Sequence, residues 1–191
     1  MDSPKSRYDV GVIHGRFQVL HNDHVKYLLA GKHLCNHLVV GITNPDPSLT
    51  RESDVNPHRS TPTANPLNYY ERYVMVQETL LENGLKLSEF SIVPFPINIP
   101  ELLRHYVPMD AIFFLTIYDD WGRKKKQNLE SLGLKIHILW EVSLENKGLS
   151  SSDIREAMVE GKRWEHLVPT SVARLMKDWD IIKRLKEFYR K

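Results

Sequence analysis

Hydrophobic positions follow two patterns that alternate along most of the chain. Short apolar runs at 10–13, 37–42, 90–94, 111–115 and 135–140 predict five strands. The segments between them carry apolar residues at helical spacing, the clearest set being Tyr70, Tyr73, Val74, Leu80 and Leu81. This alternation predicts an α/β fold, with a Rossmann-like, doubly wound parallel five-stranded sheet and C-terminal helices.

Helix boundaries are predicted from capping residues. Asn65 followed by Pro66 suits a helix start, since Asn caps free N–H groups and Pro is tolerated at the first helical position. Gly84 is expected to end that helix. Prolines and polar residues from Pro45 to Pro66 predict a long functional or mobile loop. Residues 177–191 predict one amphipathic C-terminal helix with a basic outer face.

Composition limits the class of protein. A length of 191 residues, with 41% hydrophobic and 26% charged residues, suits one soluble domain, 1–191, with a helical extension from about 165 to 191. The net charge of +2 gives no electrostatic reason to expect nucleic acid. A single cysteine excludes an intramolecular disulfide, and no apolar run reaches the roughly 18 residues of a membrane span. With an N-terminus that lacks a signal-peptide core, these features predict a cytoplasmic protein without a membrane partner.

The stretch from Gly15 to His24 lies between the first predicted strand and the first predicted helix. In an open α/β sheet such a turn lies at the carboxyl ends of the strands, where ligands bind, and a helix N-terminus favours phosphate. His21 and His24 can face one side of the first helical turn and donate to the same anion. The pair could instead bind a transition metal with a third histidine, although no Cys or Glu stands at a supporting spacing. His14, just before the turn, is interpreted as an ordinary polar residue.

A second polar segment follows the fifth predicted strand. Ser150, Ser151 and Ser152 open a helix and offer hydroxyl groups beside free backbone N–H groups. Arg155, one turn later, can present a planar guanidinium to phosphate oxygens. A capped helix with a surface arginine explains the same residues, so this segment alone does not select phosphate binding.

Both segments resemble the signatures of a known family. Gly-Arg-Phe-Gln at 15–18 with His-x-x-His at 21–24, and Leu-Ser-Ser-Ser-Asp-Ile-Arg at 149–155, are similar to the His-x-Gly-His and Ile-Ser-Ser-Thr-x-Ile-Arg motifs of the nucleotidyltransferase superfamily. The first motif is most similar to that of the archaeal-type nicotinamide mononucleotide adenylyltransferases, and the resemblance covers about residues 9 to 180. Two positions depart from the pattern, because Val19 replaces a usual Pro and Asp23 replaces the Gly of His-x-Gly-His. Asp23 adds negative charge beside the proposed triphosphate unless its side chain caps the helix.

The resemblance implies transfer of AMP from ATP to nicotinamide or nicotinate mononucleotide, which releases pyrophosphate and forms the dinucleotide. This reaction needs no protein nucleophile, so the implied catalytic residues, Arg16, His21, His24 and Arg155, act by positioning and by neutralising charge. The implied ATP-binding set is Gly15, Arg16, Phe17, His21, His24, Ser150, Ser151, Ser152, Ile154 and Arg155. Mg²⁺ is expected on the ATP phosphates, without metal ligands from the protein. The apolar stripe of the C-terminal helix is also suited to contacts in a homo-oligomer.

The acceptor site is less well defined by the sequence. The candidate contacts are Asn44, Arg72, Asp119, Asp120 and Trp121. Trp121 could stack on a pyridine ring while an aspartate contacts a hydroxyl or carboxamide; alternatively, the aspartates cap a helix and Trp121 packs. The basic run at 123–126 could bind phosphate or form a solvated helix face.

Two other functions fit the same fold. A cytidylyltransferase or another adenylyltransferase could act on a different phosphate or phosphonate acceptor. Residues 149–155 do not match the Arg-Thr-x-Gly-Ile-Ser-Thr-Thr motif usual in cytidylyltransferases, which favours ATP. A nucleotide-binding sensor without turnover is the third hypothesis, and Asp23 is its only support.

Overall fold

A computed structural model of the chain describes residues 8–46, 61–143, 145 and 148–189. The strands are β1 (Tyr8–Gly15), β2 (Cys35–Thr43), β3 (Phe90–Phe95), β4 (Ile112–Ile117) and β5 (Lys135–Glu141). They form one sheet in the order β3-β2-β1-β4-β5, and every neighbouring pair is parallel. The predicted α/β fold with a doubly wound five-stranded sheet is therefore confirmed. The strand order reverses between β1 and β4, which opens a crevice at their carboxyl ends.

The helices are α1 (Asn22–Leu34), α2 (Tyr69–Glu82), α3 (Asp120–Ser131), α4 (Ser151–Glu160), α5 (Thr170–Asp178) and α6 (Ile181–Tyr189), with a 3₁₀ helix at Pro100–His105. The predicted start of α2 at Asn65–Pro66 is wrong. Asn68 caps this helix instead, because its Oδ1 accepts from the Glu71 N–H at 2.8 Å while the Glu71 carboxylate accepts from the Asn68 N–H at 2.9 Å. This reciprocal capping box satisfies two free donors at once, which Asn65 does not do.

The C-terminal segment also differs from its prediction. A single helix over 177–191 was expected from its apolar stripe, but the structure has two helices that meet at Trp179 and Asp180. Asp180 has a φ of 53°, a left-handed conformation that interrupts helical hydrogen bonding. Most of the predicted long loop, residues 47–60, lies outside the described residues.

Two hydrophobic clusters cover the two faces of the sheet. Ile13 lies in the first cluster, which includes apolar residues of α1, α2, α4, α5 and α6. Val12 lies in the second cluster with Phe95 of β3 and Leu129 of α3. Successive strand residues point to opposite faces, so His14 shares the face of Val12 and α3. This alternation determines which side of the crevice each residue of β1 reaches.

Candidate active site

A cleft of about 930 Å³ opens at the carboxyl edge of the sheet. The predicted site residues that line it are Gly15, Arg16, Phe17, His21, His24, Asn44, Ser150, Ser151, Ser152 and Arg155. The two segments that resemble family motifs therefore meet on one cavity, although more than 120 residues separate them along the chain.

The turn between β1 and α1 is held rigidly. Phe17 is fully buried with a φ of 53°, and its ring lies so close to Gly15 that a Cβ there would be 2.8 Å from it. The Gln18 side chain donates to the Leu67 carbonyl at 2.8 Å and accepts from the Leu67 N–H at 2.9 Å. Glycine is required at position 15 by this close approach, and the turn is braced by the segment that precedes α2.

His21 and His24 lie together at the start of α1. Their rings stack with centroids 3.7 Å apart, and the His21 N–H donates to Nδ1 of His24 at 3.3 Å. Because Nδ1 of His24 accepts, its Nε2 carries the proton and can donate to a ligand. The structure thus gives this pair the predicted placement at the first helical turn. Among the described residues, no group of three or more His, Cys, Asp or Glu side chains is arranged to hold a metal ion.

Both histidines are neutral in the free protein at pH 7. Burial lowers the pKa of His21 to about 4, against the opposing effect of Asp23 and Asp153. Burial, together with His21 and Arg16, holds the pKa of His24 well below its usual range. A bound triphosphate would favour the protonated forms, because an opposite charge nearby raises a histidine pKa.

The serine segment is tied directly to the first turn. Ser150 caps α4 by accepting from the Asp153 N–H at 3.2 Å, and the Ser151 hydroxyl donates to the Val19 carbonyl at 2.8 Å. Arg155 donates to the Gln18 carbonyl and to the Ser152 hydroxyl. Arg155 is only 3% exposed, so its interpretation as a surface residue is wrong. These contacts align the N-termini of α1 and α4 on one cavity, an arrangement suited to a polyanion.

Asp23 does not cap α1; its carboxylate connects the two segments. Oδ2 accepts from the Leu149 N–H at 2.7 Å, and Oδ1 accepts from Lys26 Nζ at 2.6 Å. Burial would raise the pKa of Asp23, but the hydrogen bonds from Lys26 and Leu149 outweigh it and lower the pKa. The negative charge beside the cleft is therefore partly neutralised by donors of the protein itself.

Two predicted contact residues are not among the described residues that line the cleft. Arg72 is 2% exposed and donates to the carbonyls of Thr43 at 2.7 Å, Asn44 at 2.8 Å and Arg16 at 3.1 Å. Burial lowers the pKa of Arg72 to about 10, so it remains charged at pH 7. It braces the ends of β1 and β2 from behind the site. Ile154 is fully buried in the first hydrophobic cluster.

The acidic residues predicted for the acceptor are also not among the described residues that line the cleft. Asp119 caps α3 by accepting from the Gly122 N–H at 2.8 Å, and the fully exposed Asp120 side chain pairs with Arg123. Asp119 therefore serves the helix start in this structure, as the alternative expected, while a role of either aspartate towards the acceptor stays a prediction. The Trp121 side chain lies outside the described part of the structure. Within the basic run, Lys125 lines the cleft, whereas Arg123 also pairs with Glu141 on the surface.

Sequence reasoning missed several residues of the cleft wall. They include His14, Tyr27, Thr43, Asn98, Thr116, Tyr118, Glu156 and Tyr189. His14 is 6% exposed, and its ring stacks on Phe95 with centroids 4.4 Å apart and planes 3° apart. The signal that could have found it is its place as the last residue but one of β1, on the face opposite Ile13.

A family model described as cytidylyltransferase-like matches residues 12–157. The chain belongs to the cytidylyltransferase-like family. It is 48% identical to a phosphonoformate cytidylyltransferase from Streptomyces viridochromogenes, over 92% of this chain and 95% of that one. It is 29% identical to a nicotinamide-nucleotide adenylyltransferase from Thermococcus onnurineus, over 92% of this chain and 86% of that one.

Solved structures agree with the fold. A bifunctional NMN adenylyltransferase/ADP ribose pyrophosphatase from Francisella tularensis matches with a TM-score of 0.67 at 14% identity. The match covers 94% of this cytidylyltransferase-like chain and 53% of that one, so the chain spans about half the length of the Francisella protein. A putative nicotinate-nucleotide adenylyltransferase from Vibrio parahaemolyticus matches with a TM-score of 0.56 at 16% identity, over 88% of this chain and 99% of that one.

Family membership establishes the general reaction. The cytidylyltransferase-like chain is a nucleotidyltransferase, which uses a nucleoside triphosphate and an acceptor. The relatives differ in both nucleotide and acceptor, so neither is decided by the family. Within the described ranges, no helix has both the length and the apolar character needed to cross a bilayer.

Proposed function

We propose that this protein transfers the cytidylyl group of CTP to a small phosphonate acceptor such as phosphonoformate and releases pyrophosphate. The observation that carries the proposal is the 48% identity to a phosphonoformate cytidylyltransferase across nearly the full length of both chains. The archaeal relatives are much less similar, as the 29% identity of the Thermococcus enzyme illustrates. The proposal replaces ATP, which the sequence motifs favoured, with CTP.

The chemistry needs charge stabilisation rather than a protein nucleophile. A phosphonate oxygen attacks the α-phosphorus, a phosphorus–oxygen bond to the acceptor forms, and the bond to the bridging α–β oxygen breaks with pyrophosphate as leaving group. His21 and His24 lie where they can donate to the triphosphate as negative charge develops, and Arg16 and Arg155 add positive charge to the same cleft. Serine hydroxyls and backbone N–H groups at the start of α4 supply further donors.

Mg²⁺ fits this site as an ion carried by the nucleotide. The described residues offer no acidic cluster, and the Asp23 carboxylate is engaged by Leu149 and Lys26. When bound to the phosphate oxygens, the ion would help to neutralise the pyrophosphate. The residues of the cleft would orient the triphosphate and exclude water around it.

The residues that line the cleft also support a small anionic acceptor. His14 covers one face of Phe95, so that face is not available to stack on a pyridine ring. Asn44, Thr116 and Lys125, which carry amide, hydroxyl and ammonium groups, also line the cleft. Such groups suit oxygen-rich anions better than a flat aromatic ring.

Transfer of AMP from ATP to nicotinamide or nicotinate mononucleotide remains the second candidate, with a role in NAD biosynthesis. Its support is the Gly-Arg-Phe-Gln motif at 15–18 and the Leu-Ser-Ser-Ser-Asp-Ile-Arg segment, which lacks the motif usual in cytidylyltransferases. The archaeal adenylyltransferases at 29% and 28% identity also support it.

A pyrophosphate-release assay separates the candidates. CTP and ATP are each paired with phosphonoformate and with nicotinamide mononucleotide, and a His21→Ala/His24→Ala double variant serves as the inactive control. We expect CTP with phosphonoformate to give the highest kcat/KM. Faster release from ATP with the mononucleotide would overturn the proposal, and nucleotide binding without release from any pair would favour the sensor.

A further inference from the structure

His14 is a buried polar residue whose ring nitrogens are unsatisfied within the described ranges. Its ring nitrogens are shielded from solvent, and neither has a hydrogen-bond partner among the described residues. Leaving such groups unpaired forfeits their hydrogen bonds to water without replacement, so most proteins pair or replace them. The ring nevertheless lies in the wall of the cleft. A buried donor at a ligand cavity is the arrangement expected of a group whose partner is the ligand.

The position of His14 separates it from the triphosphate residues. Ile13 points to the side of the sheet that packs against α1, where His21 and His24 lie. His14 points to the other side, against Phe95 and towards α3. In-line transfer needs the acceptor and the leaving pyrophosphate on opposite sides of the α-phosphorus, so the His14 side is the acceptor side.

Lys125 of α3 supplies positive charge in the wall of the same cleft. It lines the cavity, and it is close enough that its charge, added to burial, lowers the pKa of His14. The side chains of Asn44 and Asn98 line the same cavity and lie next to each other, with Asn98 Nδ2 3.4 Å from Asn44 Oδ1. A neutral imidazole, an ammonium and two amides together can surround a small anionic group.

We propose that His14 and Lys125 form a subsite for a carboxylate borne on the phosphonate acceptor, so that the enzyme selects small acceptors with a second anionic group. The proposal rests on the proposed function for the class of acceptor. In this arrangement one His14 N–H and the Lys125 ammonium donate to the carboxylate oxygens. The phosphonate of the same molecule then faces the α-phosphorus of the nucleotide, whose triphosphate lies on the side of His21 and His24.

The test compares two acceptors that differ in the carboxylate, phosphonoformate and methylphosphonate. His14→Phe keeps a ring that can stack on Phe95 but removes both nitrogens, and Lys125→Met keeps the chain length but removes the charge. Lys124→Met is the matched control, because Lys124 is an exposed neighbour on the same helix and is not among the residues that line the cleft. Transfer is followed by kcat/KM, and binding by calorimetry with a non-hydrolysable CTP analogue present.

We expect wild type to prefer phosphonoformate by at least about tenfold, since a hydrogen bond to a charged group contributes enough for such a ratio. His14→Phe and Lys125→Met should each lower kcat/KM and affinity for phosphonoformate by about 10- to 100-fold. For methylphosphonate, kcat/KM and affinity should change by less than about threefold, because this acceptor has no carboxylate to lose contact with. The Lys124→Met control should match wild type. Equal losses for both acceptors, or no loss in either variant, would overturn the subsite.

The two proposals fail in different ways. If wild type binds phosphonoformate through His14 and Lys125 but releases no pyrophosphate, the subsite stands and the proposed function fails. If wild type transfers to phosphonoformate and both variants keep its discrimination, the proposed function stands and the subsite fails. Because His14→Phe buries no unpaired nitrogen, it is also expected to unfold at a temperature no lower than wild type, which separates a lost contact from misfolding.

Discussion

Removal of the Asp23 carboxylate should weaken the connection between the two segments that form the cleft. Asp23→Ala leaves the Leu149 N–H without its acceptor at 2.7 Å and breaks the 2.6 Å ion pair with Lys26. A hydrogen bond between a backbone N–H and a carboxylate contributes about 1.5–3 kcal/mol, whereas an ion pair with an exposed lysine contributes about 0.5 kcal/mol or less. The Lys26 side chain is 74% exposed, so most of the effect should come from Leu149.

The expected loss of unfolding free energy is about 2 kcal/mol, which lowers the melting temperature by about 4–8 °C in a domain of this size. Urea denaturation and calorimetry of Asp23→Ala measure it directly, with Lys26→Ala as the matched control at about 0.5 kcal/mol or less. The serine segment is then held to the first turn only through Ser151 and Arg155. Because its position relative to the histidines is less fixed, kcat/KM should fall about tenfold. Equal destabilisation by Asp23→Ala and Lys26→Ala would refute the assignment to Leu149.

Gly148 provides an independent check on the same contact. A Cβ at position 148 would overlap the Asp23 carboxylate, and all three of its nearest neighbours are atoms of that carboxyl group. Gly148 does not have a positive φ, so the backbone itself tolerates alanine. Gly148→Ala should therefore destabilise wild type and be nearly neutral in an Asp23→Ala background. A double-mutant cycle with a coupling energy near zero would show that the two positions do not touch.

Three further predictions concern the histidine pair and Arg72. His24→Ala should lower kcat by about 10²–10³-fold, since one preorganised donor is lost, while its circular dichroism spectrum stays native. A kcat equal to that of wild type would exclude His24 as a donor to the triphosphate. Because the pKa of His21 is about 4 in the folded state and 6.5 in the unfolded state, the unfolded state binds more protons between these values. The contribution of His21 to the free energy of unfolding should thus be fully present above pH 6.5 and be lost as the pH falls, by about 2 kcal/mol at pH 5. Urea denaturation at pH 5 and pH 7 should show this loss in wild type and a smaller loss in His21→Gln. Arg72→Met should lower the free energy of unfolding by about 3–5 kcal/mol, because it leaves buried carbonyls unpaired. Arg72→Lys should restore little of that loss in thermal unfolding, since an ammonium cannot reproduce the planar, multiply donating guanidinium.

Local sequence patterns predicted the five strands and placed two polar segments at helix starts. The apolar runs matched all five strands, because residues buried on both faces of a parallel sheet must be apolar whatever their neighbours are. The His21–His24 pair and the three serines could be placed at helix starts from their spacing alone. The boundaries were less certain, as the start of α2 at Tyr69 shows, because two asparagines near it can both act as caps.

Residues whose role depends on distant partners could not be assigned in this way. Arg72 resembles a surface helix residue in sequence, yet it is buried because the ends of β1 and β2 present their carbonyls to it. Asp119 was assigned to the acceptor from its place after a strand, whereas the structure shows its side chain capping α3 by accepting from the Gly122 N–H. Local spacing determines the position of a residue on its helix or strand, but only the packing of other elements determines which residues its side chain contacts.

The sequence by itself determined the fold class and the order of strands and helices along the chain, and it placed two polar segments at helix starts. Periodicity and capping act within a few residues, so these features can be read without a structure. Only the tertiary structure decided that Asp23 contacts Leu149, 126 residues away, and that His14 stacks on Phe95 while its nitrogens find no hydrogen-bond partner in the described part of the chain. Contacts of this kind arise when the sheet closes and its two faces are covered, because burial and hydrogen-bond pairing depend on all the elements that meet at one point.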